Sequence, residues 1–590
     1  MKHRLAVLVG FLALWGGGIA YRLYGVQVAG YEHYAARATR QQQQEIDVSP
    51  PRGTIYDARG RTLAVSVTVD SACLFPPRVT RPDETVERLA AVLDREPAEV
   101  RALVEDQRQF RWVERLLAPE VAAELRALDL PGLGFVGESK RFYPQGELAG
   151  PVLGFVGVDH DGLAGLEAQY ERTLAGRPIR RTVLRDGLKG QVMAPGLSLL
   201  DAEPGADLHL TLDASVQYVV ERELAAAVER HRAKTGTAVV MDPATGALLA
   251  LASYPAFDPG AFAAVPAERR RNRAVQDTYE PGSTFKLVTA AAALDANVID
   301  PVDVLDCEMG AIQLEKARIR DHHPFGLLTF RQVFAKSSNV GAIKAGLMAG
   351  DEALYASLRA FGFGRPTGVD LPGEERGLVR PVERWPRHAD AYVSIGQSLS
   401  ITALQLTRAF AAVANGGHLV TPHVVAATGA ERTAVRGTPA VPAPVASAAT
   451  VRTLVRLLEA VVEEGTGRAA GVDGYRVAGK TGTAEKAEPG KGYYEDRHVA
   501  SFAGFAPSRR PAFVAVVVID EPRGLYHGGD VAAPVFGAIA RQILPYLGVA
   551  PDGSRPSSGP AGSTVAAVAG SAGGGSAGPG ALDEISGVGE

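Results

Sequence analysis

The sequence predicts a membrane-anchored α/β (α+β) protein in which strands from both ends of a large domain complete one sheet. Apolar, strand-like segments lie at the two ends of this domain, at 237–242, 247–253, 475–483, 500–506 and 513–519. The residues between them are mostly helix-forming. An uncharged run near the N-terminus predicts the anchor, and the length of 590 residues is too great for one ordinary core, so two or more domains are expected.

Composition excludes several classes of protein. Hydrophobic residues make up 46% and charged residues 22%, as in a folded protein rather than a disordered one. Acidic residues number 66 against 62 basic ones, and the net charge of −4 gives no support for nucleic-acid binding. The cysteines Cys73 and Cys307 belong to no Cys/His cluster, which argues against a disulfide framework and a zinc ribbon. We predict no cofactor and no metal.

The first element of the chain is the predicted anchor. After Arg4 the chain carries no charge until Arg22, and it then stays apolar to Val28. Because Arg22 can extend its guanidinium to the membrane interface, we predict a transmembrane helix at residues 5–28, with residues 1–4 in the cytoplasm. A cleaved signal peptide and a buried core helix are the alternatives, but no good A-x-A cleavage site follows the run. Without a second long apolar run, the rest of the chain is expected on one side of the membrane.

The second element is a predicted pedestal domain, residues 29–205. A polar stalk leads to the Pro50-Pro51 break, and residues 82–130 are rich in Glu, Arg, Ala and Leu at helical spacing. We therefore expect small helices in this domain. A stretch rich in Gly and Pro at 195–205 marks its end.

The third element is the large domain, predicted over residues 206–548. An amphipathic helix at 216–231 precedes a hairpin whose turn is 243–246, and a helix at 532–547 closes the domain. Residues 549–590 are mostly Gly, Ala, Ser and Pro, which cannot bury a core. We expect this tail to be disordered.

Ser283 and Lys286 form the first candidate catalytic pair. They follow a Pro-Gly pair and precede an Ala-rich run, which predicts Ser283 at a helix N-terminus. Residues i and i+3 share a helix face, so the Lys286 amine is expected beside the Ser283 hydroxyl, where it can take the proton of the nucleophile. A serine cap followed by an incidental lysine would give the same pattern.

Ser337 and Asn339 form the second candidate, in a Ser-Ser-Asn tripeptide that starts 54 residues after Ser283. The tripeptide follows a predicted helix at 330–336, so a short loop would present the hydroxyl and the carboxamide together. These groups can relay a proton and hold a substrate amide. Taken alone, the tripeptide is more typical of an ordinary turn.

Lys480, Thr481, Gly482 and Thr483 form the third candidate, at a predicted strand. The lysine supplies a positive charge that would lower the pKa of a neighbouring amine, and the glycine permits close approach of a backbone. Thr483 can offer its hydroxyl to a substrate carboxylate and its amide to an oxyanion. The same tetrapeptide starts at Lys234, also before a strand, and local sequence does not separate the two copies.

The motifs S-x-x-K, S-x-N and K-T-G, in that order along the chain, resemble the signature of penicillin-recognising acyl-serine enzymes. The K-T-G copy at Lys480 fits this order, whereas the copy at Lys234 comes before the other two motifs. Further segments resemble class B penicillin-binding proteins, and they are Arg52–Gly60, Arg141–Gly146, Gly165–Glu167, Tyr279–Gly282, Ser394–Gln397, Asn415–Gly417, Gly465–Gly467 and Ala532–Phe536. The chain is similar to the division- or sporulation-type (FtsI/SpoVD-like) members over nearly all of its length before the tail. Ala58 stands where the family usually has an arginine, and Arg59 is the candidate to replace it.

This resemblance implies a peptidoglycan D,D-transpeptidase of the penicillin-binding fold, with a central, mainly antiparallel sheet flanked by helices and an elongated pedestal. Ser283 would attack the penultimate D-Ala carbonyl of a stem peptide, and Lys286 would accept its proton. Terminal D-Ala would depart, protonated through Lys286 and Ser337. An amine on a neighbouring stem would then take the acyl group.

The resemblance also implies how the donor peptide binds. Asn339 would bind its amide, Lys480 and Thr483 would hold its terminal carboxylate, and the Ser283 and Thr483 amides would form the oxyanion hole. β-Lactams would acylate Ser283 as mimics of D-Ala-D-Ala.

Location and partners follow from the same resemblance. It implies a single-pass protein of the inner (cytoplasmic) membrane with its catalytic domain on the periplasmic side, acting in septal cell-wall synthesis. A polytopic SEDS-family glycosyltransferase and membrane proteins of the divisome would be its partners.

Three rival functions remain from the sequence. An elongation-type transpeptidase would carry the same motifs. A D,D-carboxypeptidase or β-lactamase would need a base for the deacylating water, and the E-x-x-L-N segment of class A β-lactamases is missing because the chain has no Leu-Asn dipeptide. A β-lactam sensor would need a signalling domain or several spans, and neither is visible.

Asp321-His322-His323 could hint at a metal site, but no second ligand cluster has suitable spacing, so we expect a loop.

Overall fold

The structure is a computed structural model that describes residues 2–34, 43–48, 50–108, 110–177, 179–185, 192–193, 203–315, 317–434, 444–488, 490 and 492–552. Most of the predicted stalk, part of the predicted boundary at 195–205 and the predicted tail from residue 553 onward lie outside these residues. Elements are numbered below in chain order.

Helix α1, Lys2–Tyr24, opens the chain, and a π-helical turn at Gly25–Ala29 prolongs it. Within the described part of the chain, this is the one helix that is long and apolar enough to cross a membrane. None of its residues is buried, so the alternative of a core helix is wrong. An exposed apolar helix of this length fits a single-pass membrane anchor.

The N-terminal region after the anchor combines short helices with strands. Its helices α2–α7 are Pro82–Leu93, Pro97–Val104, Pro119–Ala127, Gly150–Leu153, Gly165–Gln169 and Glu171–Leu174. Its strands β1–β7 are Gln43–Val48, Ile55–Tyr56, Thr62–Leu74, Arg111–Glu114, Leu133–Phe142, Ile179–Arg185 and Val192–Met193. Helices α2, α3 and α4 each begin with a proline, which has no amide hydrogen to lose at that position.

A buried ion network ties this region together. Arg52 Nε donates to Glu167 Oε2 at 3.0 Å, and Arg141 Nε donates to Glu167 Oε1 at 2.6 Å. Arg52 also donates to Glu171 Oε2 at 2.8 Å. The Glu167 side chain is 0% exposed, so its charge depends on both arginines for compensation. The network therefore fixes the start of β2 against helices α6 and α7.

The large domain contains most of the helices. Helices α8–α18 are Ala214–Arg230, Arg273–Gln276, Lys286–Asp295, Phe330–Lys336, Asn339–Ala349, Asp351–Ala360, Ala389–Ser394, Ala403–Ala414, Ala448–Glu463, Gly528–Val531 and Ala533–Tyr546. Strands β8–β15 are Leu208–Leu210, Thr235–Met241, Leu248–Tyr254, Thr278–Tyr279, Val304–Asp306, Ala311–Leu314, Ala317–Arg320 and Leu327–Thr329. Strands β16–β21 are Ile401–Thr402, Val425–Thr428, Thr433–Ala434, Ala478–Glu488, Gly492–Ala506 and Phe513–Asp520.

The central sheet has the order β10-β9-β21-β20-β19, and all its pairs are antiparallel. The prediction that both ends of the domain complete one sheet is confirmed, because β9 and β10 come before the helical middle and β19–β21 after it. The predicted hairpin is also present, with Met241 opposite Leu248. Strand β19 lies at one edge of the sheet.

Two predicted strands are too short. The apolar pattern ends β19 at Thr483 and starts β20 at Ala500, whereas the strands continue to Glu488 and begin at Gly492. The extension is a polar hairpin, with Ala487 opposite Tyr493. Backbone pairing needs no apolar side chains, so hydrophobic periodicity does not detect it.

Both faces of the sheet are covered. Alternate residues of a strand point to opposite faces, so Val239 belongs to the core cluster that includes residues of α10 and α15, while Val240 belongs to the cluster that includes residues of α8 and α18. Lys480, two residues after Ala478 and opposite Ala503, belongs to the face covered by α10. A second sheet joins the two regions of the chain, since β2 pairs with β8 in parallel and β8 pairs with β17.

Arg59 connects the N-terminal region to the large domain. Its Nε donates to Asp213 Oδ2 at 2.7 Å, and its guanidinium carbon lies 4.4 Å from the ring centroid of Tyr546. Asp213 also caps α8 by accepting from Ser215 N at 2.9 Å. Arg59 thus contacts both the first and the last long helix of the large domain. Ala58, which stands where the family usually has an arginine, has no side chain that could make these contacts.

Candidate active site

Ser283 lies in a tight turn that leads into helix α10. Residues Gly282–Phe285 form a 3₁₀ turn, and the α-helix begins at Lys286. The prediction of a helix start is therefore correct to within one turn. Gly282 has φ +55°, and a Cβ there would lie 3.0 Å from the Thr483 carbonyl oxygen, so glycine permits the turn to approach β19.

Lys286 is buried, and its amine contacts the Ser-Ser-Asn segment. Nζ donates to the Ser337 carbonyl at 2.7 Å and to Asn339 Oδ1 at 2.7 Å, and it lies 3.4 Å from Ser337 Oγ. No hydrogen bond joins Lys286 Nζ to Ser283 Oγ in the described residues. The two acceptors on the neighbouring segment hold the amine instead.

Ser337 and Asn339 are positioned by the junction of two helices. Ser337 ends α11 with φ +61°, a left-handed conformation that is uncommon outside glycine. The carboxylate of Asp321 accepts from the backbone amides of Asn339 and Val340 at the start of α12 and from Ser338 Oγ. A carboxylate at a helix N-terminus is favourable, so Asp321 fixes the loop that displays both candidates.

Lys480 joins the third motif to the second. Its side chain is 0% exposed, and Nζ donates to Ser337 Oγ at 2.9 Å and to the Thr481 carbonyl at 3.2 Å. A Cβ on Gly482 would lie 2.9 Å from Thr284 Cγ2, which shows how closely β19 approaches the Ser283 turn. The three predicted motifs therefore lie side by side.

The threonines of β19 are held by Thr466, which lies in a segment that the sequence analysis named, and by Gly528, which it did not name. Thr481 Oγ1 lies 2.6 Å from Thr466 Oγ1, and Thr483 Oγ1 accepts from the Gly528 amide at 3.0 Å. The Thr466 contact gives a role to the Gly465–Gly467 segment. The Gly528 amide thereby fixes the hydroxyl of Thr483.

Burial dominates the electrostatics of the two lysines. It lowers the pKa of Lys286 to about 7, and Asp321 opposes this effect. Burial and the nearby Lys286 lower the pKa of Lys480. Two ammonium groups joined through one hydroxyl are unfavourable together, so a neutral amine is available at this site near neutral pH. The sequence argument named a neighbouring cation as the cause for Lys286, whereas burial is what lowers the pKa of this lysine.

The second Lys-Thr-Gly-Thr copy lies elsewhere. The Lys234 side chain is 63% exposed and pairs with Glu521 at 3.4 Å, at the start of β9. Strand β9 is separated from β19 by β21 and β20. The copy at Lys480 is the one beside Ser337, as the motif order predicted.

The Asp321-His322-His323 segment is a loop, and no group of three or more metal-ligating side chains occurs in the part of the chain that the structure describes. His322 makes a contact that sequence reasoning missed: its ring centroid lies 4.9 Å from that of His527. His527 directly precedes Gly528, the partner of Thr483. The imidazole pair therefore connects the loop beside Asn339 to the segment beside β19. No pattern in the sequence predicts contact between two histidines so far apart in the chain.

The comparisons with known proteins agree with this site. The family described as "Penicillin binding protein transpeptidase domain" matches residues 236–541, and the "Penicillin-binding Protein dimerisation domain" matches residues 47–210. Stage V sporulation protein D of Bacillus subtilis is 37% identical over 540 residues, which cover 90% of this chain and 83% of that protein. Peptidoglycan D,D-transpeptidase FtsI of Escherichia coli is 34% identical over 564 residues, covering 94% and 93%.

Solved structures give the same result. The apo crystal structure of penicillin-binding protein 3 from Mycobacterium tuberculosis has a TM-score of 0.65 and 30% identity, covering 86% of this chain and 98% of that one. A peptidoglycan synthetase from Bifidobacterium adolescentis has a TM-score of 0.68 and 25% identity, covering 89% and 99%.

Fold and site together define a penicillin-binding transpeptidase, with an antiparallel sheet between helices and three motifs meeting at its edge. The chain belongs to the class B penicillin-binding proteins, and it is a peptidoglycan D,D-transpeptidase. The predicted family, fold and enzyme class are confirmed.

Proposed function

We propose that this chain cross-links peptidoglycan through an acyl-enzyme on Ser283. Its Oγ attacks the carbonyl carbon of the penultimate D-Ala, and its proton passes to Lys286. The peptide bond breaks, and the amine of the departing D-Ala receives that proton through Lys286 and Ser337. An amine of a neighbouring stem then attacks the ester, so that an amide forms, the ester C–O bond breaks and the proton returns to Ser283 Oγ.

The observation that carries this proposal is the position of Ser337 Oγ, 2.9 Å from Lys480 Nζ and 3.4 Å from Lys286 Nζ. One hydroxyl thereby connects the two buried amines beside the turn of Ser283. A buried amine with a lowered pKa is suited to act as a general base near neutral pH.

Substrate binding would bring the base to the nucleophile. Lys286 Nζ is held by Asn339 Oδ1 at 2.7 Å before substrate arrives. A donor amide that donates to the same carboxamide oxygen would compete for it and release the lysine toward Ser283. Catalytic hydrogen bonds often form only in the complex with substrate, so this rearrangement agrees with the contacts of the free site.

Lys480, Thr481, Gly482 and Thr483 would bind the donor. The ammonium of Lys480 and the hydroxyl of Thr483 would hold the terminal carboxylate, and entry of this anion would raise the pKa of Lys480 again. The backbone amides of Ser283 and Thr483 would stabilise the oxyanion, which the closeness of Gly282 to Thr483 supports. β-Lactams would acylate the same serine.

We further propose that the enzyme acts at the septum, with its catalytic domain on the periplasmic side of the inner membrane. Support comes from the Tyr279–Gly282 segment, which resembles division-type members, and from relatives that include FtsI and Stage V sporulation protein D. The exposed apolar surface of α1 would anchor the protein and contact a SEDS-family glycosyltransferase and other divisome proteins. Residues 29–205 would act as the pedestal below the transpeptidase domain, residues 206–548.

Depletion in the native host tests the septal role. Filamentous cells with unfinished septa are expected, and a copy with Ser283→Ala should not restore division. Round, swollen cells that still divide would indicate an elongation-type role instead. Cross-linking assays on membranes from the same cells would separate the catalytic claim from the cellular one.

A further inference from the structure

An exposed apolar patch lies on the large domain, around the small sheet of β12 and β15. Its six residues, which we call the β12 patch, have exposed fractions of 40% to 77%, and they are Val302, Val304, Met309, Leu327, Leu347 and Met348. In the described part of the large domain, Val302, Leu327 and Met309 are the three most exposed of the large hydrophobic side chains. The proposed mechanism uses none of the six.

The pairing of β12 with β15 places part of the patch on one face of this sheet. Asp306 lies opposite Leu327, and Val304 lies two residues before Asp306, so the three side chains share a face. Leu305 and Leu328 lie on the other face, where they belong to the core. The outer face therefore presents Val304 and Leu327 to solvent.

Met309 and Val302 extend this face. A Cβ on Gly326 would lie 3.8 Å from Met309 Sδ, so the Met309 side chain packs beside the residue that precedes Leu327. Val302 lies two residues before Val304 and is the most exposed member of the patch. The apolar surface is thus continuous from one end of the paired strands to the other.

Helix α12 adds the last two residues of the patch. Lys344 Nζ donates to the Asp306 carbonyl at 2.7 Å, which fixes the helix beside β12. Leu347 and Met348 lie three and four residues after Lys344, on the same side of the helix. Clustered apolar side chains of this kind mark surfaces that bind another molecule, because soluble domains rarely expose them otherwise.

The segment that carries half of the patch is acidic. Residues 300–309 contain four exposed carboxylates and no basic residue, and the carboxylates are those of Asp300, Asp303, Asp306 and Glu308. Glu308 pairs with Lys344 at 2.7 Å. The three aspartates form no ion pair within the described part of the chain. Uncompensated negative charge therefore borders the apolar surface.

The arginines near this segment are paired or lie on another element. Arg331, whose amide donates to the Pro301 carbonyl, pairs with Glu464 at 3.1 Å. Arg318 and Arg320 belong to the separate hairpin of β13 and β14. The β12 patch is thus complementary to an apolar segment that is bordered by basic residues.

Charge distinguishes between the possible occupants of the patch. A two-fold contact with a second copy of this chain would bring the same aspartates face to face, since such a contact repeats one surface on both partners. An anionic lipid surface would repel the aspartates as well. A basic segment of another protein would be attracted to them.

We propose that the β12 patch is a docking surface for another protein on the same side of the membrane, which binds through an apolar segment bordered by Lys or Arg. This contact is separate from any contact made by α1. It also does not depend on the chemistry of Ser283, so penicillin should acylate the protein whether or not the patch is occupied.

Photo-crosslinking in the native host tests the proposal. The photoreactive residue p-benzoyl-phenylalanine replaces Leu327 in the full-length protein, and the cells are irradiated before lysis. The matched control carries the same residue in place of Tyr218, which is 57% exposed on α8, outside the patch. The replacement at Leu327 should form a covalent adduct with another protein, at a yield well above that of the control.

Mass spectrometry of the adduct then identifies the crosslinked segment of the partner, which should be apolar and carry more Lys and Arg than Asp and Glu. Asp303→Lys combined with Asp306→Lys should reduce the adduct yield by about tenfold, because like charges then face each other. Glu495→Lys combined with Asp496→Lys is the charge-matched control on the exposed polar hairpin and should leave the yield unchanged.

The thermal midpoint and penicillin labelling of each variant are measured in parallel. Both should stay at the wild-type level, which separates loss of docking from loss of folding and from failure of the proposed function. If the double variant of Asp303 and Asp306 does not fold, Val302→Lys decides the result, because it adds a positive charge at the most exposed position of the patch.

An adduct between two copies of this chain, an adduct with lipid, or no adduct above the Tyr218 control would overturn the proposal. A crosslinked segment without an excess of basic residues would also overturn it. So would an adduct whose yield survives charge reversal at the patch in a folded variant.

Discussion

The Ser337 hydroxyl accepts a hydrogen bond from Lys480 Nζ at 2.9 Å, across 143 residues of sequence. Lys286 lies on the other side of the same hydroxyl, at 3.4 Å. A single small side chain thus connects the second motif to the first and the third. Its left-handed backbone, φ +61°, places the hydroxyl between the lysines.

Ser337→Ala should slow acylation by penicillin by about 10²-fold or more, since it removes the proton relay between two buried amines. The thermal midpoint should change little, because the substitution removes one oxygen atom and both lysines keep another acceptor, the Thr481 carbonyl for Lys480 and the Ser337 carbonyl for Lys286. Stopped-flow fluorescence with a reporter penicillin measures the rate. Ser338→Ala is the structural control, since Ser338 caps α12 and does not contact either lysine. Unchanged acylation kinetics in Ser337→Ala would contradict the proposed proton relay.

The two Lys-Thr-Gly-Thr copies should behave differently. Lys480→Ala should reduce the acylation rate severely, because Lys480 is buried beside Ser337. Lys234→Ala should change it by less than about threefold, or under about 0.7 kcal/mol of barrier, because an exposed pair with Glu521 contributes little. Comparable losses in both variants, with both folded, would contradict the assignment of β19 to the site.

The pH dependence of acylation should follow Lys286. Its pKa is lowered to about 7 by burial, and the neutral amine is the base. The rate should therefore rise as pH increases through about 7 and level off roughly one unit higher, the reverse of a mechanism that needs the protonated amine. Initial rates of penicillin acylation between pH 5 and 9 measure the profile, and a flat profile over that range would contradict the proposed base.

Sequence reasoning singled out candidate residues that the fold brings together, because each motif is local and the order of the motifs is informative. It also predicted the central sheet, since apolar runs mark strands that are buried on both faces. It did not predict the contact of Lys286 with Asn339 in place of Ser283, because side-chain partners depend on which acceptors the fold brings near. The cap provided by Asp321 and the pair of His322 with His527 were missed for the same reason.

Glu167→Ala should destabilise the N-terminal region by about 3–5 kcal/mol, because it leaves Arg52 and Arg141 buried without a counter-charge. Glu84→Ala is the control: its ion pair with Arg81 is exposed, so its loss should cost less than about 1 kcal/mol. Chemical denaturation followed by circular dichroism measures both. Similar small effects in the two variants would show that the buried network is not needed for stability.

Removal of residues 1–28 should give a soluble protein that acylates with penicillin at the wild-type rate, because α1 makes no buried contact. The same truncation should fail to support septal synthesis in cells. Replacement of α1 by an unrelated transmembrane helix separates anchoring from recognition. Full rescue by that replacement would show that α1 acts as an anchor without specific partner contacts.

The central claim is that Ser283 is the acylated nucleophile, and peptide mass spectrometry after incubation with penicillin tests it most directly. The protein should gain one penicilloyl group, on the peptide that contains Ser283, and Ser283→Ala should gain none while its thermal midpoint stays close to that of the wild type. An adduct on another residue, or undiminished labelling of folded Ser283→Ala, would contradict the account.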